Sequence, residues 1–457
     1  MRAGLPSASL VWFRQDLRLH DNPALAAAVR RGGPVIPVFV WAPEEERPWA
    51  PGRASRWWLA RSLAALDAEL RQRGSRLIVR RGPTVKALLR LACECGADTV
   101  IWNRRYEPAA VARDERVKAA MASETFNSAL LFEPGQILNG SGRPFQVFSA
   151  FWRACQAMPE PAKPERAPAR IPAPSRWPTS ETAIDNSTAI EGWQPGEAGA
   201  RVRLRRFLKR AGASYAVDRD RPDLEGTSRL SPHLHFGEIG PRQVWHAVGA
   251  NESYRRELAW REFAYHLLFH FPQTPDEPFR TRRSEGPRQL DPCSLRLWQT
   301  GRTGYPIVDA GMRELIETGW MHNRVRMLAA SFLVKDLLIG WEEGAAWFWD
   351  RLVDADLANN TLNWQWVAGC GADANPWFRI FNPVVQGEKF DPLGDYVRRW
   401  LPRLASLPSE WIHQPWAAPA SVLSAAGVRL GRNYPRPVVD HRAAAERARA
   451  AVGRVSL

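Results

Sequence analysis

The sequence predicts two folded parts: an α/β N-terminal domain on a parallel, doubly wound sheet, and an all-α C-terminal domain. Three observations carry that prediction. Residues 1–131 alternate short β-rich runs with helical patterns, which is the signature of strand–helix–strand units. From residue 200 to 457, apolar residues recur at helical spacing and are punctuated by Pro and Gly. Between them, residues 132–199 lose periodicity, and Pro159–Pro178 holds seven prolines in twenty residues. Such a stretch reads as an extended interdomain linker. At 457 residues the chain is long enough for two sizeable cores.

In the first domain the β-rich runs are Ser9–Phe13, Val35–Val40, Arg76–Val79 and Thr99–Trp102, with Ala129–Phe132 as a weaker fifth. Helical patterns lie between them at Pro23–Arg30, Ser55–Arg73, Thr84–Cys95 and Ala109–Ala122. This spacing calls for parallel strands covered on both faces. No GxGxxG follows the first strand and no GxxxxGK occurs, so neither a dinucleotide fingerprint nor a P-loop is supported. Trp12–Arg18 places charges at the carboxyl end of the first strand, where sheets of this kind bind ligands. The helical half reads as Arg201–Lys209, Ser253–Phe271, Asp309–Glu317, Met321–Leu338, Gly344–Val353 and Val439–Val452.

Composition narrows the function classes. The chain is 45% hydrophobic and 24% charged, without an apolar run long enough to span a membrane and without a secretory leader, so a cytoplasmic protein is expected. The five cysteines are scattered and expected to be reduced. His233 and His235 form an HxH pair lacking a third ligand at a suitable spacing, so no metal site is expected. Net charge is +15, and 57 of the 63 basic residues are Arg, which favours a polyanionic partner, nucleic acid first.

Four stretches carry candidate chemistry. In VDADLANNTLNWQW (Val353–Trp366), read as helix, Asp356, Asn360 and Trp364 stack at i, i+4 and i+8, offering a hydrogen-bonding edge backed by an indole. Glu225–Pro232 combines a Gly turn, hydroxyls and a guanidinium, which suits a phosphate. Glu257, Trp260 and Arg261 share one helix face. In Trp320–Met327, Asn323 and Met327 share a face and Arg324 is free to point toward a phosphate backbone. Each has a plainer structural reading as well: a dipole-favoured acid pair with buried tryptophans, an ordinary helix cap, a Glu–Arg helix pair, and a gap-filling Met.

Taken together, LVWFRQDLRLHDNPAL, EGTSRLSPHL, ELAWREF, TGYPIVDAGMREL, TGWMHNRVRMLAASFLVKDLL, LVDADLANNTLNWQWVAGCGADANPWFRIFNPVVQGEKFDP and YPRPVVDH resemble the photolyase/cryptochrome family of flavoproteins, from Leu10 to His441. The resemblance implies an antenna-binding α/β domain and a helical domain that binds FAD. Tyr215, Thr227, Ser228, Arg229, Leu230 and Ser231 would hold its phosphates and ribityl chain. Tyr254, Glu257, Arg261, Trp320 and Asn323 would flank it, Arg326 would pair with Asp354, Asp354 and Asp356 would lie at the polar edge of the ring, and Asn360 would face N5. Arg219, Arg324 and Arg379 would contact DNA phosphates.

Within the family, Glu257, Trp260, Asn360 and Trp366 are photolyase-like, and Asn323 and Met327 stand where (6-4) photolyases carry a histidine pair. The expected activity is therefore light-driven repair of cyclobutane pyrimidine dimers in DNA, by electron transfer from excited reduced FAD, in a monomer. Phe39–Glu46 and Ser55–Leu59 resemble the bacterial class III enzymes. The alternatives are a cryptochrome-like blue-light photoreceptor, which the absence of an extension after about Val455 disfavours, and a (6-4) photolyase.

Two departures stand out. Trp364 and Trp341 match the first two members of the family's electron-carrying tryptophan triad, but the third position falls on Arg288; the expectation is either slowed photoreduction or an exit through another aromatic such as Trp298, Trp347 or Trp349. Ala109 and Ala110 replace an Asn–Glu pair of folate-binding class I enzymes, and Trp41 replaces an Asp of deazaflavin-binding ones. Methenyltetrahydrofolate held in the class III manner is the favoured antenna, with an empty site as the alternative.

Overall fold

Pairing of β-branched and aromatic runs builds one sheet of five parallel strands in the order β3-β2-β1-β4-β5. The strands are β1 (Ala8–Phe13), β2 (Val35–Trp41), β3 (Ile78–Arg81), β4 (Ala97–Asn103) and β5 (Ser123–Phe126). The helices α1 (Pro23–Arg30), α2 (Arg53–Arg71), α3 (Thr84–Cys95) and α4 (Pro108–Ala120) make the crossovers. The structure, a computed structural model, describes residues 7–181, 184, 189–280, 291–374 and 379–453.

The chain divides into two compact units. The first comprises Met1–Gly212, Ser228–Pro272 and Val353–Ala358. It contains the sheet and, beyond it, the helices Phe148–Gln156, Glu197–Arg210, Ser231–His235, Pro241–Val248 and Glu252–His270. The central strand β1 is buried at every position, because helices cover both faces. Leu10, Trp12, Ile36, Val38, Ile78, Val100 and Trp102 form one core cluster with Leu88 and Leu91 of α3. Pro159–Pro178 carries neither helix nor strand. It is fastened by backbone bonds, the Val35 amide donating to the Pro172 carbonyl and the Ile171 amide to that of Arg73.

Two sequence expectations are corrected in this unit. The fifth strand is Ser123–Phe126, which pairs with β4 from Val100 to Asn103; Ala129–Phe132 is not a strand. The reason lies in its amides. Those of Leu131 and Phe132 donate to the buried Glu262 carboxylate at 2.8 and 3.3 Å, and that of Leu130 donates to Asn127, so no ladder is available. The charges closing β1 do not await a ligand either. Arg14 is buried on Asp114 at 2.5 Å and on the Asn103 carbonyl. Arg18 donates to the Gly237, Asp21 and Ser128 carbonyls, and Asp16 accepts from Asn103. The charges at the strand end are paired with residues distant in sequence.

The second unit comprises Ala213–Thr227, Gln273–Leu352 and Asn359–Leu457. Its described residues form the helices Tyr215–Asp218, Pro292–Gln299, Pro306–Thr318, Asn323–Ser331, Trp341–Arg351, Pro383–Phe390, Asp395–Trp400, Ala420–Ala425 and His441–Gly453. The Leu357–Ala368 helix enters it from Asn359 onward. The Met321–Leu338 expectation needs revision: the α-helix is Asn323–Ser331 and passes into a π-helical turn, Phe332–Asp336. There the buried Lys335 ammonium donates to the Arg379 carbonyl at 2.8 Å. Arg288 lies outside the described residues.

Candidate functional site

The first unit gathers one set of the expected residues. In the Glu252–His270 helix, Asn251 caps the start by accepting from the Tyr254 amide. The next turns then present Glu257, Trp260 and Arg261 as the spacing requires. Trp260 is half-buried and stacks flat on Phe148, with ring centroids 3.6 Å apart and an interplanar angle of 6°. Arg261 donates to the Ala129 carbonyl at 2.8 Å and lies over the Tyr265 ring. Tyr254 is buried, its hydroxyl 2.7 Å from Ser228 Oγ; burial pushes its phenol up to about 12. Ser228 also accepts from the Leu230 amide, and Arg229 between them takes a positive φ of 51°. That left-handed turn is uncommon for a residue bearing a Cβ, and it turns the chain into the short Ser231–His235 helix.

The acid–amide–indole face read in the sequence is only partly a helix face. The helix begins at Leu357, so Asp354 and Asp356 precede it. Both carboxylates are buried. Tyr265 donates its hydroxyl to Asp356, and His235 Nδ1 stands 3.6 Å from the same oxygen. Burial alone would raise the Asp356 carboxyl, but His235, Arg261 and Tyr265 outweigh it and hold the group well below the usual carboxylate range. Tyr265 is absent from the residues that the sequence motifs single out, although it falls at i+4 from Arg261 and i+8 from Glu257, a periodicity that marks the same helix face.

The second unit carries the other set. Asn360 donates its Nδ2 to the Ala345 carbonyl at 3.2 Å, which fixes the amide orientation, since a carbonyl can only accept. Trp364 is 2% exposed and packs edge-on against Phe348 and Trp298, with centroids 5.1 and 6.3 Å away. Gly344 makes room for it: a Cβ there would lie 2.0 Å from the indole. Trp298 is fully buried and donates its Nε1 to the Ala329 carbonyl; Trp341 is buried as well. Trp366 is half-buried one helical step from Gln365, whose amide bridges the Thr274 and Glu277 carbonyls and the Phe279 amide. No pattern in the sequence marks that Gln as a brace.

Around Trp320, His322 caps the next helix by accepting from the Arg324 amide, leaving Asn323 exposed and Met327 half-buried. Arg326 donates to the Met321 carbonyl at 2.7 Å and lies over the Trp320 ring. Arg324 is not free as expected: it pairs with Asp220 at 2.7 Å and lies over the Phe390 ring. Tyr215 is buried, with Arg219 above its ring, and Arg379 is exposed. Gly226, just before Thr227, meets the Asp218 backbone so closely that a Cβ would lie 2.4 Å from its carbonyl oxygen.

Comparison with known proteins bears on what these sets hold. Residues 9–173 match the DNA photolyase family model, and residues 254–454 match the FAD binding domain of DNA photolyase. The chain belongs to the DNA photolyase family. It is 48% identical over 470 residues to the deoxyribodipyrimidine photo-lyase of Agrobacterium fabrum, covering 98% of each chain. It is 42% identical to cryptochrome-1 of Arabidopsis thaliana over 95% of this chain and 69% of that one. Among solved structures, a bacterial class III photolyase from Agrobacterium tumefaciens superposes with a TM-score of 0.95 at 46% identity, covering 100% of this chain and 99% of the other.

The donor set fits FAD. Clustered hydroxyls and a guanidinium at Thr227–Ser231 are the groups that recognise a pyrophosphate. In the first unit, the ionised carboxylate of Asp356 is an acceptor of the kind an N–H-bearing flat ring needs; in the second, taken by itself, so is the carbonyl end of the Asn360 amide. Among the described residues no helix is long and apolar enough to cross a membrane, and no cluster of three or more His, Cys, Asp or Glu could hold a metal.

Proposed function

We propose that the chain is a deoxyribodipyrimidine photolyase that repairs cyclobutane pyrimidine dimers in DNA with light, acting as a monomer in the cytoplasm. The observation that carries this reading is the orientation of Asn360. With Nδ2 committed to the Ala345 carbonyl, its Oδ1 is the end left to meet a ligand. That oxygen accepts a hydrogen bond from an N–H and has no proton to give, so the side chain would hold a reduced ring without protonating it. An Asp at this position could deliver a proton, which suits a sensor better than a repair cycle.

Bound FAD would supply light absorption and the transferable electron. The remaining tasks belong to the chain. Tyr215, Thr227, Ser228, Arg229, Leu230 and Ser231 would hold the phosphates and ribityl chain, Tyr254 and Arg261 would flank the cofactor, and Asp354, Asp356 and Arg326 would set charge near its ring. Glu257 would hydrogen-bond a thymine carbonyl and stabilise charge developing there. Trp260 and Trp366 would wall the extruded dimer, which pairs and stacks poorly and so costs less to flip than a normal base. Asn323 and Met327 would complete the contacts to it. Arg219, Arg324 and Arg379 would meet phosphates, Arg324 exchanging its Asp220 partner for one. The light-driven reduction of the cofactor would start at Trp364, which touches Trp298 edge-on.

A methenyltetrahydrofolate antenna fits the class III likeness of the first domain. Its presence is checked by the absorption of the protein as isolated, where a folate adds a near-ultraviolet band to that of the flavin. The repair reading itself is tested by Glu257→Ala. Repair yield per absorbed photon should fall while FAD content holds; equal loss of both would make Glu257 structural. The likeness to a cryptochrome favours one other reading, a blue-light photoreceptor, whose mark would be light-driven flavin chemistry with no preference for dimer-containing DNA.

A further inference from the structure

We infer that Tyr265 and His235 are positioning residues that set the electron affinity of the bound flavin, acting through Asp356. The inference rests on the FAD reading above and concerns four side chains of the first unit, Tyr265, His235, Arg261 and Asp356. Tyr265 is buried in the Glu252–His270 helix, and its hydroxyl donates to Asp356 Oδ2. His235, at the end of the Ser231–His235 helix, brings Nδ1 to 3.6 Å from the same oxygen, while its Nε2 stands 3.3 Å from the side-chain amide nitrogen of Gln15. Arg261 adds positive charge, lying over the Tyr265 ring at 4.9 Å. Asp356 thus sits at the focus of a phenol, an imidazole and a guanidinium, all three supplied by elements other than its own.

A carboxylate facing a ring that gains electrons opposes that gain, and burial strengthens the opposition because water does not screen it. Donors that take up part of the carboxylate charge relieve it. Tyr265 is the donor in direct contact, and its position is over-determined: Tyr106 packs edge-on against its ring at 6.3 Å, with the Tyr106 hydroxyl on Glu133 at 3.0 Å. A phenol this fixed is a hydrogen bond of constant length, which is what tuning a potential requires. A merely structural role would need the ring alone.

The test is a redox titration of the FAD-loaded protein against a reference dye, comparing wild type with Tyr265→Phe. The ring stays and the hydroxyl goes. Asp356 then faces the flavin with more of its charge, so the oxidised form should gain about tenfold, a fall of about 30 mV for a two-electron couple. Tyr265→Gln, which returns a donor, should recover most of the shift. Tyr106→Phe, which removes the neighbouring hydroxyl from Glu133 but touches no Asp356 atom, should leave the potential in place. If Tyr265→Phe gives no folded protein, His235→Phe removes the second polar neighbour and should shift the equilibrium the same way. Wild-type protein that takes up no flavin would overturn the FAD reading and this inference with it. Normal FAD content with potentials equal to wild type in both variants, or a shift toward the reduced form, would overturn the inference alone.

Discussion

Trp260 and Trp364 are the same side chain placed in opposite surroundings. Trp260 is half-buried and lies flat on Phe148, so one face is committed and the other can be offered. Trp364 is enclosed: Phe348 and Trp298 meet it edge-on and Gly344 presses under its six-membered ring. A stacking platform needs an available face. A buried electron carrier needs close aromatic neighbours and fixed geometry. Residue type and helical spacing are alike in the two cases; the surroundings supplied by other elements suit each ring to the role proposed for it.

Truncating each ring in turn should show the largest difference between the two sites. Trp364→Ala should cost about 4 kcal/mol of unfolding free energy, as a large buried ring lost without collapse does. Trp260→Ala should cost about 1 kcal/mol, because part of that ring is already solvated. Denaturant titrations of the two variants check this, and equal losses would mean that the two surroundings are not different in kind.

Next comes the contact beneath Trp364. A Cβ at Gly344 would fall 2.0 Å from the indole, so Gly344→Ala should destabilise by about 3 kcal/mol through overpacking. Pairing it with Trp364→Phe should recover part of the loss, since the smaller ring vacates the overlap. Denaturation midpoints of the single and double variants decide.

Glu262 lies on the buried side of the Trp260 helix. Burial pushes the Glu262 carboxyl up to about 7, against the opposing pull of Arg261 and the amides of Phe132 and Leu131. A raised carboxyl binds its proton more tightly in the folded state. Its contribution is therefore complete below the ordinary value near 4.5 and is lost as pH rises through 7. Glu262→Gln should remove this slope, gaining on the order of 2 to 3 kcal/mol relative to wild type between those limits. Parallel pH–stability curves would show that Glu262 does not titrate there.

The smallest effect sharpens the functional side. Trp260→Ala should weaken binding to dimer-containing DNA by about 1.5 kcal/mol, the scale of one base–aromatic stack, and leave undamaged DNA nearly unaffected. Binding measured at two salt concentrations separates this from the phosphate contacts, which weaken as salt rises.

Much of this was legible beforehand for physical reasons that differ by region. The parallel sheet was, because strands buried on both faces are continuous apolar runs. The fifth strand was misplaced because Ala129–Phe132 is apolar enough, yet its amides are claimed by Glu262, a residue about 130 positions away. The charges of Arg14, Asp16 and Arg18 looked ligand-ready for the same reason: their partners Asp114, Asn103, Gly237 and Ser128 are distant in sequence. Asp356, Asn360 and Trp364 were singled out by spacing, but the helix starts after the acid, and the group that reaches its carboxylate, Tyr265, belongs to another helix. Local spacing found the residues; only long-range contacts gave their protonation and orientation.

Light-driven repair is measured most directly as the recovery of intact thymines in a cyclobutane-dimer oligonucleotide mixed with the FAD-loaded, reduced protein under blue or near-ultraviolet light. Recovery is expected to need both light and reduced flavin, with a (6-4) photoproduct left untouched. Reduced, flavin-replete protein that leaves cyclobutane dimers unrepaired under illumination would contradict it.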